Sequence, residues 1–204
     1  MAFEINKFRS EIDNGGVLKP NRFMVQFLAP PIMNGYNTDK LLLRCEAVQW
    51  PGVSFTTMDA PPRAGYGASE VIPIAPIFED VTLNFIIDKN SNLHMFFFNW
   101  INTVVNLRSR GQSRYNETEN EGYSKGYSPY EVGYKDEYCT DIEIHMIRET
   151  GENDKAMSAK LYRAFPRALP GFDLNWASND EILKLNVQFT YTDYDINYHL
   201  PTAK

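Results

Sequence analysis

Three histidines, two cysteines and one run of strand-borne carboxylates are the residues of this chain with the chemistry to act on a substrate. His94, His145 and His199 lie far apart, and none has a second His or Cys at the spacing that wraps a metal ion. Cys45 and Cys139 are also distant from each other. Each falls in a stretch with strand character, where a free cysteine acts as a small buried hydrophobe. They imply no disulfide framework and suit a reducing compartment. Asp141, Glu143 and His145 are the best enzyme-like cluster, because alternate positions of a strand share a face and two carboxylates beside an imidazole can act as acid and base. The same trio is also an ordinary solvated strand face, and that reading is preferred. The runs Gly65-Tyr66-Gly67 and Gly151-Glu152-Asn153-Asp154-Lys155 match neither a dinucleotide fingerprint nor a phosphate loop. No serine stands in a nucleophile elbow. The chain is expected to be no enzyme, with no catalytic residue, no metal ligand and no cofactor.

The elements that would position these residues are mostly strands. After the polar turn Ala177-Ser178-Asn179-Asp180-Glu181, Leu183, Leu185, Val187, Phe189 and Tyr191 alternate with Lys184, Asn186, Gln188, Thr190 and Thr192. A period of two over ten residues marks a half-buried strand whose other face is uniformly polar. Similar alternation predicts strands over 22–28, 41–48, 70–74, 80–88, 138–148 and 157–165. Between them, Leu93, Phe96, Phe97, Trp100, Ile101, Val104 and Val105 follow one face of an amphipathic helix, with Ser91 or Asn92 as its N-cap. A looser helix is predicted over 2–14, stopped by Gly15-Gly16. Residues 50–69 mix Pro51, Gly52, Pro61, Pro62, Gly65 and Gly67 with apolar side chains and show no period, so they read as a long loop. Residues 109–137 read as an insertion containing Tyr115, Tyr123, Tyr127, Tyr130 and Tyr134, suited to a contact surface. The sum is a mainly β fold: two packed antiparallel sheets, a β-sandwich or barrel, with one flanking α-helix and long loops.

At 204 residues the chain is most simply a single domain, 1–204, with a sizeable core. A net charge of −6 argues against a dedicated nucleic-acid binder. No apolar run approaches the ~20 residues that span a bilayer, so no membrane partner is expected.

The order of these pieces resembles the tail tube protein family of contractile-tailed bacteriophages of the T-even type. The residues that carry the resemblance are Lys19-Pro20-Asn21-Arg22-Phe23, Cys45-Glu46-Ala47 leading to Pro51-Gly52, Phe78-Glu79-Asp80, and the helix with Phe97, Phe98 and Trp100. The closing run is Phe165-Pro166 followed by Leu174-Asn175-Trp176-Ala177-Ser178-Asn179-Asp180-Glu181-Ile182. The insertion at 109–137 is the main departure. The resemblance implies a structural virion protein whose hexameric rings join their sheets into one barrel and stack into the inner tail tube. It implies self-association, contacts with the tail sheath, baseplate and tail terminator proteins, and transient passage of phage DNA without specific binding. It implies assembly in the host cytoplasm and residence in the virion tail. A baseplate tube initiator or adaptor and a type VI secretion-like tube protein are the near alternatives. A carbohydrate-binding β-sandwich and a hydrolase built on the Asp141 face are distant ones.

The residues agree with that expectation. A strand with one polar face suits a water-filled lumen, and Asp141, Glu143, Lys184, Asn186, Gln188 and Thr190 are the candidate lumen face. Six chains of −6 carry −36 per ring, a balance that offers phosphates no counterion-releasing grip. Trp50, Val53, Phe55 and Met58 are the candidate ring-stacking residues, with the N-terminal helix a second candidate.

Overall fold

The computed structural model describes residues 16–33, 38, 42–61, 65–105, 107, 132–149, 154–177 and 181–199, with isolated positions 5, 7, 9, 10 and 12. Its strands are β1 (Phe23–Phe27), β2 (Cys45–Val48), β3 (Val53–Ala60), β4 (Glu70–Phe78), β5 (Val81–Ile86), β6 (Thr140–Ile147), β7 (Lys155–Ala168), β8 (Lys184–Thr190) and β9 (Asp193–Tyr198). Two helices, α1 (Asn92–Val104) and the single turn α2 (Lys135–Tyr138), complete the labelled elements. All strand pairs are antiparallel, in the order β1-β6-β7-β8-β5-β2, with β9 also on β7 and β3-β4 as a separate ribbon.

β7 turns one chain of pairings into two packed walls. Its residues up to Tyr162 lie between β6 and β9, whereas Phe165, Pro166 and Ala168 pair with β8. The change of partner follows a bulge. Thr140 pairs with Ala164 and Ile142 with Leu161, so Tyr162 and Arg163 together oppose Asp141. Arg163 takes the left-handed φ of 53° there, and its N–H donates to Asp141 Oδ1 at 3.1 Å. An extra residue bends the bulged strand and raises its twist.

Both walls turn apolar side chains inward, as the period of two requires. Val25, Phe27, Ile142, Ile144 and Leu161 come from the β1-β6-β7 wall; Leu83, Phe85, Leu185, Val187 and Phe189 come from the β5-β8 wall. The α1 residues Leu93, Phe96, Phe97 and Trp100 join them. Phe27 lies 6.4 Å from Phe189 and 5.7 Å from Trp100 between ring centroids, so the walls and the helix share one core. The Trp100 indole N–H donates to the Tyr138 carbonyl at 2.7 Å, tying α2 to the helix.

Three expectations change. Residues 53–60 are not aperiodic loop: they form β3 and pair along their whole length with β4. Ser91 stands at the N-cap of α1, but its side chain does not cap. Asp88 does, accepting from the Leu93 N–H at 3.2 Å and from the Asn92 amide at 3.0 Å. Burial raises the Asp88 pKa, yet hydrogen bonds from the backbone and the nearby Arg44 hold it below the usual carboxylate value. In 41–48 only Cys45–Val48 is strand, since Leu42 is helical. Of the expected N-terminal helix, positions 5, 7, 9, 10 and 12 are helical and exposed, and Gly16 closes it with φ 70° and an N–H donated to the Ile12 carbonyl at 2.9 Å. Its other residues lie outside the described ones, as does most of the 109–137 insertion. The described end of that insertion holds α2 and a bridge from Val132 to Val105.

Candidate functional site

The outward face of the β1-β6-β7-β9 wall is a charged grid. Register places Gln26, Glu143, Lys160 and Asp195 in one cross-strand row. Lys160 Nζ lies 3.4 Å from Asp141 and 3.7 Å from Glu143, so it is shared between the two carboxylates. The Asp141 hydrogen bond raises the Lys160 pKa first, with the charges of Asp141 and Glu143 adding to it. The adjacent row runs Met24, His145, Ser158 and Asn197. His145 is only 2% exposed. Its Nε2 lies 3.2 Å from Gln26 Oε1, 3.3 Å from Lys155 Nζ and 3.5 Å from Glu143 Oε2, and its Nδ1 has no partner among the described residues. Burial, then the Lys155 ammonium and His199, push its pKa below 6.5, against the pull of Glu143. A neutral, wedged imidazole is a packing element here. Among the described residues no three His, Cys, Asp or Glu side chains converge on a common metal position.

The outward face of the β8-β5 wall differs in kind. Gln188 pairs with Thr82 and Asn186 with Asn84, a carpet of amides and hydroxyls. Its one cation on β8, Lys184, is bound by Glu46 at 2.8 Å. Both β6 and β8 point their apolar partners into the same core, so their polar faces look in opposite directions. The six candidate lumen residues therefore divide: Asp141 and Glu143 stand on one wall, Lys184, Asn186, Gln188 and Thr190 on the other.

The third feature is the β3-β4 ribbon. It continues the β2-β5 pair past Pro51-Gly52 and Glu79-Asp80; at its base Phe78 packs on Tyr191 and Tyr194, 6.0 and 5.5 Å between ring centroids, and beyond that its apolar side chains are uncovered. Val53 and Phe55 share a face with Phe78 and Pro76, whereas Met58 pairs with Ile72 on the other face. Phe55 is 60% exposed, Met58 53% and Ile74 60%. Trp50, by contrast, is half-buried against the core at the ribbon's base. Sequence reasoning found the β3 half of this arm and missed the apolar residues of β4, Val71, Ile72, Ile74 and Ile77, which are equally uncovered. The signal was present, since four large aliphatics sit between two prolines and a polar turn with no helix period.

A polar outer wall, a sandwich with β1, β2 and β9 each paired on one side only among the described strands, and an uncovered apolar arm are the marks of a subunit. The model of the phage tail tube protein family matches residues 18–197. The chain belongs to the phage tail tube protein family. This tail tube protein is a structural component of a phage-like tail rather than an enzyme. No curated protein matches its sequence.

Solved structures share the tail tube protein's fold at low identity. A chain of the six-fold symmetrised anti-feeding prophage baseplate aligns with TM-score 0.60 and 14% identity over 90% of this chain and 97% of that one. A chain of the sheath-tube complex of an extracellular contractile injection system in its extended state aligns with TM-score 0.56 and 16% identity, covering 97% and 100%. A chain of the anti-feeding prophage tube-terminating cap gives TM-score 0.55 and 17% identity, covering 90% and 92%. No helix among the described residues of the tail tube protein is long and apolar enough to cross a membrane.

Proposed function

We propose that this tail tube protein assembles six copies to a ring, and ring upon ring, into the inner tube of a contractile tail, with residues 1–204 acting as one domain. The β3-β4 ribbon carries the reading. A two-stranded ribbon is marginal in water by itself, and one that is apolar on both faces needs cover from outside its own subunit. In this reading Val53, Phe55 and Met58, joined by Ile72, Ile74 and Ile77, stack one ring on the next. The unpaired margins of β1, β2 and β9 join neighbours within a ring, which removes edges that otherwise invite uncontrolled pairing.

The lumen takes one wall only. We assign it the β8 side, Lys184, Asn186, Gln188 and Thr190, because that wall runs on into the projecting ribbon and presents no unpaired cation among its described side chains. Phage DNA then slides past groups that release no counterions. Asp141 and Glu143 then fall on the outer wall, toward the sheath. Sheath, baseplate and terminator proteins are the remaining partners. Assembly takes place in the host cytoplasm.

Negative-stain microscopy of the purified chain tests the assembly: filaments with an axial channel are expected. Removing 57–74, closing Thr56 to Ala75 through Asn-Gly and replacing the exposed Val53, Phe55 and Ile77 by Thr keeps the base of the ribbon in register and takes away its apolar arm. That variant is expected to stay soluble and unpolymerised. Tubes of ordinary length from it would discard the ribbon as the stacking element.

A further inference from the structure

We propose that Trp176 of one copy docks into the groove between β1 and β2 of a second copy. The inference needs two copies to meet, and in that respect alone it rests on the assembly reading above.

The donor is the segment between β7 and β8. Trp176 is 100% exposed and Leu174 81% exposed, although indoles and leucines are seldom left wholly in water. The segment is shaped as well as exposed. Asn175 Oδ1 accepts the Ala177 N–H at 3.0 Å, an Asx turn that fixes the chain on both sides of the indole. A preformed knob loses little freedom on docking.

The receptor is the open margin of the sandwich. β1 and β2 are the two ends of the strand order, so the sheet does not close between them. The gap leaves a groove of about 420 Å³ lined by Pro20, Phe23, Val48, Trp50, Ile144 and Met146. A cavity of roughly 150 Å³ suffices for benzene, so an indole fits with room for a neighbouring side chain. Phe23, Val48 and Trp50 belong to the half-buried rim of the core, and an aromatic seated on them would complete its cover.

The charges match. From 171 to 183 the donor holds Asp173, Asp180 and Glu181 and no Lys or Arg. Lys19 and Arg22 flank the lining residues Pro20 and Phe23 in the chain, Arg44 precedes Glu46 by two residues, and Lys184 is paired with the lining Glu46. The carboxylates there are already engaged: Glu149 by Lys19 at 2.9 Å and Glu46 by Lys184 at 2.8 Å. Asp88 lies within reach of Arg44, and the Arg22 guanidinium meets the Glu149 backbone carbonyl at 3.5 Å and also bears on its carboxylate. With Lys184, four cations stand against these three carboxylates, and an acidic segment is the partner that balance favours.

The test is a disulfide between two different chains in a Cys45→Ser background. Full-length Ala177→Cys protein, which keeps the indole, is mixed with Val48→Cys protein under mild oxidation, run on a non-reducing gel and viewed by microscopy. Asn21→Cys serves as a second receptor variant at the rim, and Asp195→Cys, on the far wall, as the control. A mixed dimer band at least tenfold above the control supports the docking, whether or not tubes are seen. If the band forms without tubes, the docking stands and the tube reading falls. Tubes with no band above control for either receptor variant overturn the docking and leave the tube reading intact, and absence of both overturns the docking too. Trp176→Ala is further expected to raise the protein concentration needed for self-association on the order of 30-fold, with Trp176→Phe largely restoring it. An unchanged threshold in Trp176→Ala overturns the docking.

Discussion

His145 holds an imidazole inside a wall otherwise made of charges. Unfolded, the ring takes up its proton near 6.5; folded, burial and Lys155 delay protonation to lower pH. The unfolded chain therefore binds more protons in that window, and stability falls as pH drops from about 7 through 6.5 toward the folded value. His145→Gln is expected to flatten this part of the melting-temperature profile, measured on the subunit below its assembly concentration. A profile between pH 7.5 and 5.5 identical to the unaltered chain would assign the slope to other groups. Trp100 makes a second residue-scale prediction. It is fully buried between Phe27, Phe96, Phe97 and Phe189, and its N–H satisfies the Tyr138 carbonyl. Trp100→Ala is expected to lose about 3–5 kcal/mol in a denaturant titration. Cys45 is inert by comparison: burial pushes its thiol up to about 12.

The element that shapes the molecule is β7, and its bulge gives a prediction that bulk composition does not. Arg163 holds a positive φ that a side chain with a branched Cβ tolerates poorly. Arg163→Val is expected to lose about 1–2 kcal/mol, since the strain outlasts the lost surface pair with Asp136, itself worth ~0–1 kcal/mol. Arg163→Gly is expected to be near neutral, because relief of strain is offset by glycine's larger freedom when unfolded. Chemical denaturation of the pair checks the sign of the difference. The contrast also marks what was legible beforehand. Strands with one wet and one dry face, β5, β6 and β8, stood out by alternation, and α1 by its aromatic stripe. Of the ribbon only 70–74 stood out; β3 did not, because a strand uncovered on both faces has no reason to alternate, and Pro73 and Pro76 mask the rest of β4. β9 was missed although Asp193, Asp195 and Asn197 alternate with Tyr194, Ile196 and Tyr198: it follows β8 after only Tyr191 and Thr192, and it is ordered by its pairing with β7. The candidate lumen residues were each legible as outward-facing. Their division between two walls was not, because it depends on the bulge at Arg163, where no local pattern announces a change of partner.

At the scale of the whole molecule the proposed tube raises the question of how an acidic protein would guide a polyanion without binding it. Net repulsion is one answer, but a charge of −6 says nothing about where the charges sit. The two walls separate them. The carboxylates Asp141, Glu143 and Asp195 crowd the β6-β7-β9 side around Lys160, while the β8 side is amides, hydroxyls and one neutralised lysine. A conduit benefits more from such a neutral lining than from a strongly negative one, since phosphates are neither held nor excluded at entry. The design then depends on a single pair. Replacing Glu46 by Lys removes the acid that quiets Lys184 and adds a second cation, shifting this wall by two charges in every subunit and by about twelve in each proposed ring. Cations repeated along a narrow channel release counterions when DNA enters, and the resulting affinity falls steeply with salt. Glu46→Lys tubes are expected to retain DNA at low ionic strength and to let it go as salt rises, whereas the unaltered tubes retain none. The control is Asp195→Lys, which makes the same charge change on the opposite wall and, with the β8 side lining the lumen, leaves passage untouched. Retention of DNA by Asp195→Lys tubes but not by Glu46→Lys tubes, read by nuclease protection across a salt series, would instead place the β6-β7-β9 wall inside.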